Sequence, residues 1–314
     1  MKIAFIADPL DSFKIYKDTT FAIMREAAGR GHSLYAMEQE DLMWRGGTVF
    51  GHARRIHLTG EKAAWYRAEP ASTGSLADFD AVLMRKDPPF DMEYVYSTYL
   101  LELAEANGAR VFNRPRAIRD WNEKMGIARF SQFTPPTLVT RRDQLIREFL
   151  AEHGDVILKP LDGMGGTSVF RVRNDDPNVN VIIETVTHYG RKTIMAQRFI
   201  PEIRDGDKRV LLIAGKPVPY CLARVPRPGE TRGNLAAGAT GEARALTARD
   251  REIGEALGPA LYREGLLLVG LDVIGDYLTE VNVTSPTCFQ EIAEQTGFNV
   301  AGMLMDALET GGVP

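Results

Sequence analysis

Ile157-Leu158-Lys159-Pro160-Leu161-Asp162-Gly163-Met164-Gly165-Gly166-Thr167-Ser168-Val169 is the stretch on which the reading of this chain turns. An apolar run delivers a lysine, a glycine-rich turn follows, and apolar residues resume at Val169. Glycines let backbone N–H groups approach an anion closely and adopt positive φ at little cost. A lysine adds a point charge for phosphate oxygens. The spacing is neither that of a Walker loop nor that of the dinucleotide-binding glycine fingerprint. A hairpin loop with an incidental lysine is the competing reading, and this stretch alone leaves both open.

Outward from it, apolar runs at 156–158, 169–172 and 193–197 predict strands, and 143–153 and 179–188 predict helices. Together they make a small lobe over 122–200. Upstream, a strand over 2–7 stops at Asp8-Pro9. Asp18 and Thr19 can cap a helix over 20–30, with Phe21, Met24 and Ala28 on one stripe, and a second strand follows at 34–37. This is a βαβ opening, so residues 1–121 are expected to form an open parallel α/β domain, continued by a strand at 81–85, a helix over 93–106 and a strand at 110–113. Downstream, strands are predicted at 210–213, 219–224, 266–274 and 277–283, in a third lobe over 201–314. Between them lies 226–241, rich in Gly, Pro and Ala and long enough to be a lid. The fold class expected is α/β, with α+β lobes.

The 314 residues include 38 Lys+Arg and 42 Asp+Glu, a net charge of −4. That balance argues against nucleic-acid and anionic-membrane partners, which call for a basic face. No apolar run approaches the ~20 residues that span a bilayer. Residues 1–10 lack the pattern of an export signal, so a cytoplasmic protein is expected. Cys221 and Cys288 give neither a disulfide framework nor a metal cluster. The five histidines show no metal spacing, and no nucleophile–base arrangement stands out.

A second chemistry-bearing cluster is Asp272…Glu280-Val281-Asn282. Glu280 and Asn282, two apart on an apolar strand, leave the same face. A carboxylate and an amide oxygen side by side suit a hard divalent cation that already holds phosphates. Asp272 joins them only if the turn at Gly275-Asp276 leaves it opposite Glu280. A three-residue loop does so, whereas a two-residue loop pairs 271 with 280 and turns Asp272 away. Cations at strand ends, namely Arg85-Lys86, Lys124, Lys208-Arg209, Arg224 and Arg232, suggest a small polyanionic ligand in a cleft.

Several runs carry a resemblance. Arg85-Lys86-Asp87-Pro88-Pro89-Phe90, Lys159 to Gly166, Asp205-Gly206-Asp207-Lys208-Arg209, Glu230 to Gly238 and Thr279 to Thr287 resemble bacterial glutathione synthetase, of the ATP-grasp superfamily. The resemblance runs nearly end to end. It implies an ATP-grasp fold in which two lobes enclose ATP, and ATP-dependent joining of γ-glutamylcysteine to glycine through an acyl phosphate. It also implies Mg²⁺, with Mn²⁺ possible, and a homotetramer or homodimer.

By the same resemblance Lys124 and Lys159 meet ATP phosphates, under a glycine loop of Gly163, Gly165 and Gly166. Gln197, Phe199 and Ile200 meet adenine, and Asp207 lies near the ribose. Arg209 faces the transferred phosphoryl. Asp272, Glu280 and Asn282 are the metal ligands, and Arg85 recognises the dipeptide. Asn282, Ser285 and Thr287 lie where substrate binds, Arg232, Gly233 and Asn234 sit on the lid, and Arg224 leads into it. Arg209, Arg232 and Lys159 are the catalytic candidates. The rival readings are an ATP-grasp ligase with another carboxylate and amine, such as a D-alanine or glutamate-adding enzyme, and a nucleotide-binding regulator without turnover.

Overall fold

Three sheets organise the chain, in a computed structural model that describes residues 1–235 and 238–311. Ala236 and Ala237 of the predicted lid, and 312–314 of the predicted third lobe, lie outside the described residues.

The first sheet holds β1 (Lys2–Ile6), β2 (Ser33–Met37), β3 (Leu42–Arg45), β4 (Thr48–Leu58), β5 (Tyr66–Ala68), β6 (Ser72–Ser75), β7 (Ala81–Met84) and β8 (Val111–Phe112). Its order is β3-β4-β2-β1-β7-β8, with β5 and β6 also on β4. β2, β1, β7 and β8 run parallel, but β3 to β6 are antiparallel. The expected open parallel sheet is therefore a mixed one. The added strands are short, as β3 is with Leu42-Met43-Trp44, or carry Ser, Thr, Gly and Arg, so no long apolar run announces them. Helices α1 (Thr19–Gly29), α2 (Met92–Ala106) and α3 (Pro115–Asp120) accompany this sheet. Asp18 caps α1 by accepting from Phe21 N at 2.7 Å, and Asp91 caps α2 from Tyr94 N at 3.0 Å.

The second sheet is antiparallel, built from β9 (Thr137–Thr140), β10 (Asp155–Pro160), β11 (Phe170–Arg173) and β12 (Ile194–Arg198) in the order β11-β10-β12-β9. Helices α4 (Asp143–His153) and α5 (Val179–Val186) cover it with a core of its own, including Ile146, Leu150, Val156, Ile183 and Ile194. The glycine stretch joins β10 to β11, so it is both a hairpin loop and a glycine loop.

The third sheet holds β13 (Asp207–Ile213), β14 (Lys216–Val225), β15 (Thr240–Ala245), β16 (Leu268–Ile274) and β17 (Tyr277–Asn282), ordered β15-β14-β13-β16-β17. Helices α6 (Ala248–Arg263), α7 (Phe289–Thr296) and α8 (Val300–Glu309) complete the region. The loop predicted over 226–241 is shorter, because Thr240 and Gly241 pair with Val225 and Arg224. One apolar cluster joins Ile3, Phe5 and Ile23 of the first region to Leu211, Leu222, Phe289, Ile292 and Leu304 of the third. Each such side chain, fully buried, stabilises by about 1.5–3 kcal/mol.

Candidate active site

The floor of the site is one face of the third sheet. Directly opposed residues of an antiparallel pair point the same way, as do residues two apart on one strand. Arg209 on β13 opposes Asp272 on β16, which opposes Glu280 on β17. On the same face Asp207 opposes Arg224 of β14. The turn at Gly275-Asp276 has two residues, the length expected to turn Asp272 away. Ile274 does pair with Tyr277 and Val273 with Leu278, but the register then slips by one, so that Asp272 meets Glu280. A β-bulge at Thr279 corrects the expectation, because one extra residue restores the parity that the short turn removes.

These pairs are ion pairs. Arg209 Nε donates to Asp272 Oδ1 at 2.6 Å and Arg224 Nη2 lies 3.0 Å from Asp272 Oδ2. Arg224 Nη2 also donates to Asp207 Oδ2 at 2.5 Å. Burial would raise the Asp272 carboxyl, but Arg209 and Arg224 outweigh it and hold it well below the usual range. Asp207 goes the other way, pushed up to about 7 by burial and by Asp272 and Glu280, which Arg224 only partly offsets. Burial likewise works to raise Glu280, and Lys124 and Lys159 overcome it, leaving its carboxyl lowered.

The opposite wall comes from the second sheet and the segment before it. Lys159, at the end of β10, donates to Glu280 Oε1 at 3.4 Å, and Lys124 Nζ lies 3.7 Å from the same oxygen. Burial lowers the Lys159 ammonium, and Glu280 opposes that. Lys124 Nζ also donates to the Gly163 carbonyl at 2.6 Å, tying the glycine loop to the floor. Gln197, Phe199 and Ile200 line the same cavity where β12 leaves the sheet. From 226–239, Arg232 pairs with Glu230 at 2.6 Å, and Asn234 reaches the glycine loop. A Cβ on Gly166, whose φ is +80°, would lie 2.6 Å from Asn234 Oδ1. One on Gly233 would lie 2.6 Å from the Asp207 Cβ. Only glycine allows that closeness.

The cavity between these walls measures about 360 Å³. Every candidate residue named from the sequence borders it except Arg85, Lys86 and Lys208. Arg85 is buried behind the wall, donating to the Pro286 carbonyl at 2.9 Å and to Thr20 Oγ1 at 3.2 Å. Its Nη1 has no hydrogen-bond partner among the described residues. Lys208 points to the opposite face, to Asp250 and the Gly275 carbonyl.

Three residues at the site escape a sequence reading. Glu123 borders the cavity, its carboxyl raised by burial and by Glu280, and it accepts from Thr284 at 3.0 Å. Its place beside Lys124 was a usable signal. Arg171 lies 3.5 Å from the centroid of the Phe199 ring and pairs with Asp155 at 2.6 Å. The bulge at Thr279 left no signal.

The chain matches the family described as prokaryotic glutathione synthetase in both of its parts, the N-terminal domain over residues 1–119 and the ATP-grasp domain over 123–297. A glutathione synthetase of Nitrosomonas europaea is 64% identical over 312 residues, covering 98% of each chain. One from Ralstonia nicotianae is 64% identical over 309 residues, covering 98% of this chain and 95% of its own. Among solved structures, the D-cycloserine synthetase DcsG superposes with a TM-score of 0.69 at 16% identity, covering 98% of this chain and 100% of that one, a likeness of fold. With both parts matched and full-length relatives at this identity, the chain belongs to the prokaryotic glutathione synthetase family and has the ATP-grasp fold.

Proposed function

We propose that the protein joins γ-glutamylcysteine to glycine at the expense of ATP, giving glutathione, ADP and phosphate. The observation that carries the reading is one cavity in which Lys124 and Lys159 flank Glu280 while Arg209 and Arg224 flank Asp272. Three anionic partners, a triphosphate and two carboxylates, must be held together, and alternating fixed charges of this kind offset their repulsion.

In this reading Lys124, Lys159 and the backbone of Gly163, Gly165 and Gly166 hold the phosphates, and Gln197, Phe199 and Ile200 hold adenine. Asp207 meets the ribose, and Arg209 steadies the transferred phosphoryl. The γ-phosphoryl passes to the C-terminal carboxylate of the dipeptide. The amine of glycine attacks that acyl phosphate, loses a proton, and phosphate leaves from the tetrahedral intermediate. No side-chain nucleophile takes part. Arg224, Ser285 and Thr287 orient the dipeptide, with Arg85 supporting them from behind through the Pro286 carbonyl, while Arg232, Gly233 and Asn234 close over the reacting groups and exclude water.

Asp272, Glu280 and Asn282 fit a hard divalent cation by their chemistry. Two carboxylates held ionised and an amide oxygen are oxygen donors on one face, and Asn282 Nδ2 is already spent on the Gly270 carbonyl. Among the described residues no three His, Cys, Asp or Glu side chains form a metal cluster, so phosphate oxygens would complete the shell. Mg²⁺, or Mn²⁺, would there neutralise phosphate charge as it shifts. The proposed division is 1–121, 122–200 and 201–314, in a cytoplasmic homo-oligomer. Among the described residues no helix is long and apolar enough to cross a membrane.

Phosphate release with γ-glutamylcysteine, ATP and Mg²⁺ tests the reading. Release that needs glycine, with alanine a poor substitute, supports it. Release equal with any amine, or none at all, sinks it.

A further inference from the structure

Glu280 can face Asp272 only because β17 holds one residue more than its partner. Thr279 falls between the pairs Val273–Leu278 and Asp272–Glu280 and has no opposite number in the ladder. Its hydroxyl donates to the Asp272 carbonyl at 3.1 Å, bridging the gap the bulge opens. Its own carbonyl accepts from Lys159 Nζ at 3.3 Å, reaching across from the second sheet to the third. The side chain is buried, 6% exposed, and borders the cavity. One residue thus touches the backbone of one candidate ligand, precedes another in sequence and holds a phosphate-side lysine.

We propose that Thr279 is a positioning residue. Its hydroxyl locks the bulge that puts Glu280 opposite Asp272, and its carbonyl sets the rest position of Lys159. The inference rests on the cation reading above and deepens it. A bulge leaves backbone groups unpaired, and its alternative is the straight ladder dictated by a two-residue turn, in which Glu280 faces Leu271 and leaves the site. A β-branched residue fits β17 by shape, but only a hydroxyl can donate to the Asp272 carbonyl. Valine keeps the shape and removes the donor.

The test uses the full chain carrying Thr279→Val, Thr279→Ser and, as reference, Glu280→Gln. Mn²⁺ binding in the presence of ADP is titrated by electron paramagnetic resonance, and Mg²⁺ dependence of turnover is measured beside the KM for γ-glutamylcysteine. Thr279→Val is expected to weaken Mn²⁺ binding about tenfold, the effect of losing one buried hydrogen bond. The Mg²⁺ requirement should rise in parallel, with the dipeptide KM unchanged. Thr279→Ser should restore binding to within about twofold of the starting protein. Wild-type Mn²⁺ binding by Thr279→Val, or equal impairment in Thr279→Ser, overturns the role of the hydroxyl. If Glu280→Gln binds Mn²⁺ normally, the cation reading falls and this inference with it; if only Thr279→Val does, the cation reading stands. Should Thr279→Val fail to fold, Thr279→Ala carries the same expectations.

Discussion

Arg209 and Arg224 share Asp272, and the sharing leaves Asp207 short of positive charge. Asp207 Oδ1 is buried without a hydrogen-bond partner among the described residues, in keeping with a carboxyl pushed up to about 7. A carboxyl that titrates higher in the folded chain than unfolded holds its proton better when folded. Its contribution therefore favours folding at acid pH and is lost as pH rises from about 4 to about 7. Asp272, held low, stays ionised in the folded chain across that window and adds slope, of the opposite sign, only below about pH 5, where the unfolded chain takes up its proton. Asp207→Asn should remove the loss, so its stability relative to wild type, read by urea unfolding, should improve from about pH 5 to about pH 8. An offset independent of pH would place the Asp207 carboxyl in the ordinary range. Arg85 poses a different question, since it stands behind the wall with Nη1 unsatisfied. Burial lowers its guanidinium, and the charges of Asp87 and Asp18 work against that. Through the Pro286 carbonyl it supports the 284–287 segment, to which the proposed reading assigns the dipeptide. Arg85→Ala should raise the KM for γ-glutamylcysteine at least about tenfold while that for ATP moves little. A change confined to ATP would reverse its role.

Among the elements, those with a clear apolar period were legible in the sequence and those shaped by tertiary contact were not. β1, β2, β7, β10 and β12 read directly as short apolar runs, and Asp18 marked α1. α6 did not, because Gly254, Gly258 and Pro259 punctuate it. Those glycines exist for packing: a Cβ on Gly258 would lie 2.1 Å from the Gly215 carbonyl oxygen, so the helix lies directly on the β13–β14 turn. The β16–β17 hairpin shows the same limit inside the site. Alternation in sequence put Glu280 and Asn282 together, but the bulge that recruits Asp272 is bridged by the Thr279 hydroxyl and met by Lys159 of another sheet, and an alternating pattern encodes neither contact. The loop was legible as such, and over its described residues 226–235 and 238–239 the bonds are mostly internal, such as Glu230 N to the Arg227 carbonyl and Arg232 to Glu230. With so few outside anchors, its amides at 230–235 should exchange freely in the ligand-free protein and become protected with ADP and Mg²⁺. Full protection without ligand, measured by hydrogen–deuterium exchange, would mean the loop is a fixed wall and not a lid.

At the scale of the molecule the first and third regions are one body. They share the cluster that joins Phe5 and Ile23 to Leu211 and Phe289. Asn113 clamps the joint, donating to the Leu268 and Val283 carbonyls at 2.7 and 2.8 Å and accepting from Leu268 N at 2.9 Å. The sheet and helices of the second region have their own core and meet the third around Met195, with Val139 and Leu161 beside it, while Ile127 and Phe133 of the segment before them are buried with the third. Separating the first region would expose a shared core, whereas tilting the second disturbs mainly that smaller seam. Nucleotide entry should therefore move the second region against the other two, a hinge motion of the kind that encloses ligands. Spin labels at Glu148→Cys on α4, Glu255→Cys on α6 and Arg25→Cys on α1 report this, since Cys221 and Cys288 are buried and these three positions are exposed. Binding of a non-hydrolysable ATP analogue should shift and narrow the α4–α6 distance distribution while leaving α1–α6 unchanged. A shift in α1–α6 of equal size would show that the shared core yields as readily as the seam at Met195, and closure would then have to be sought in the whole molecule.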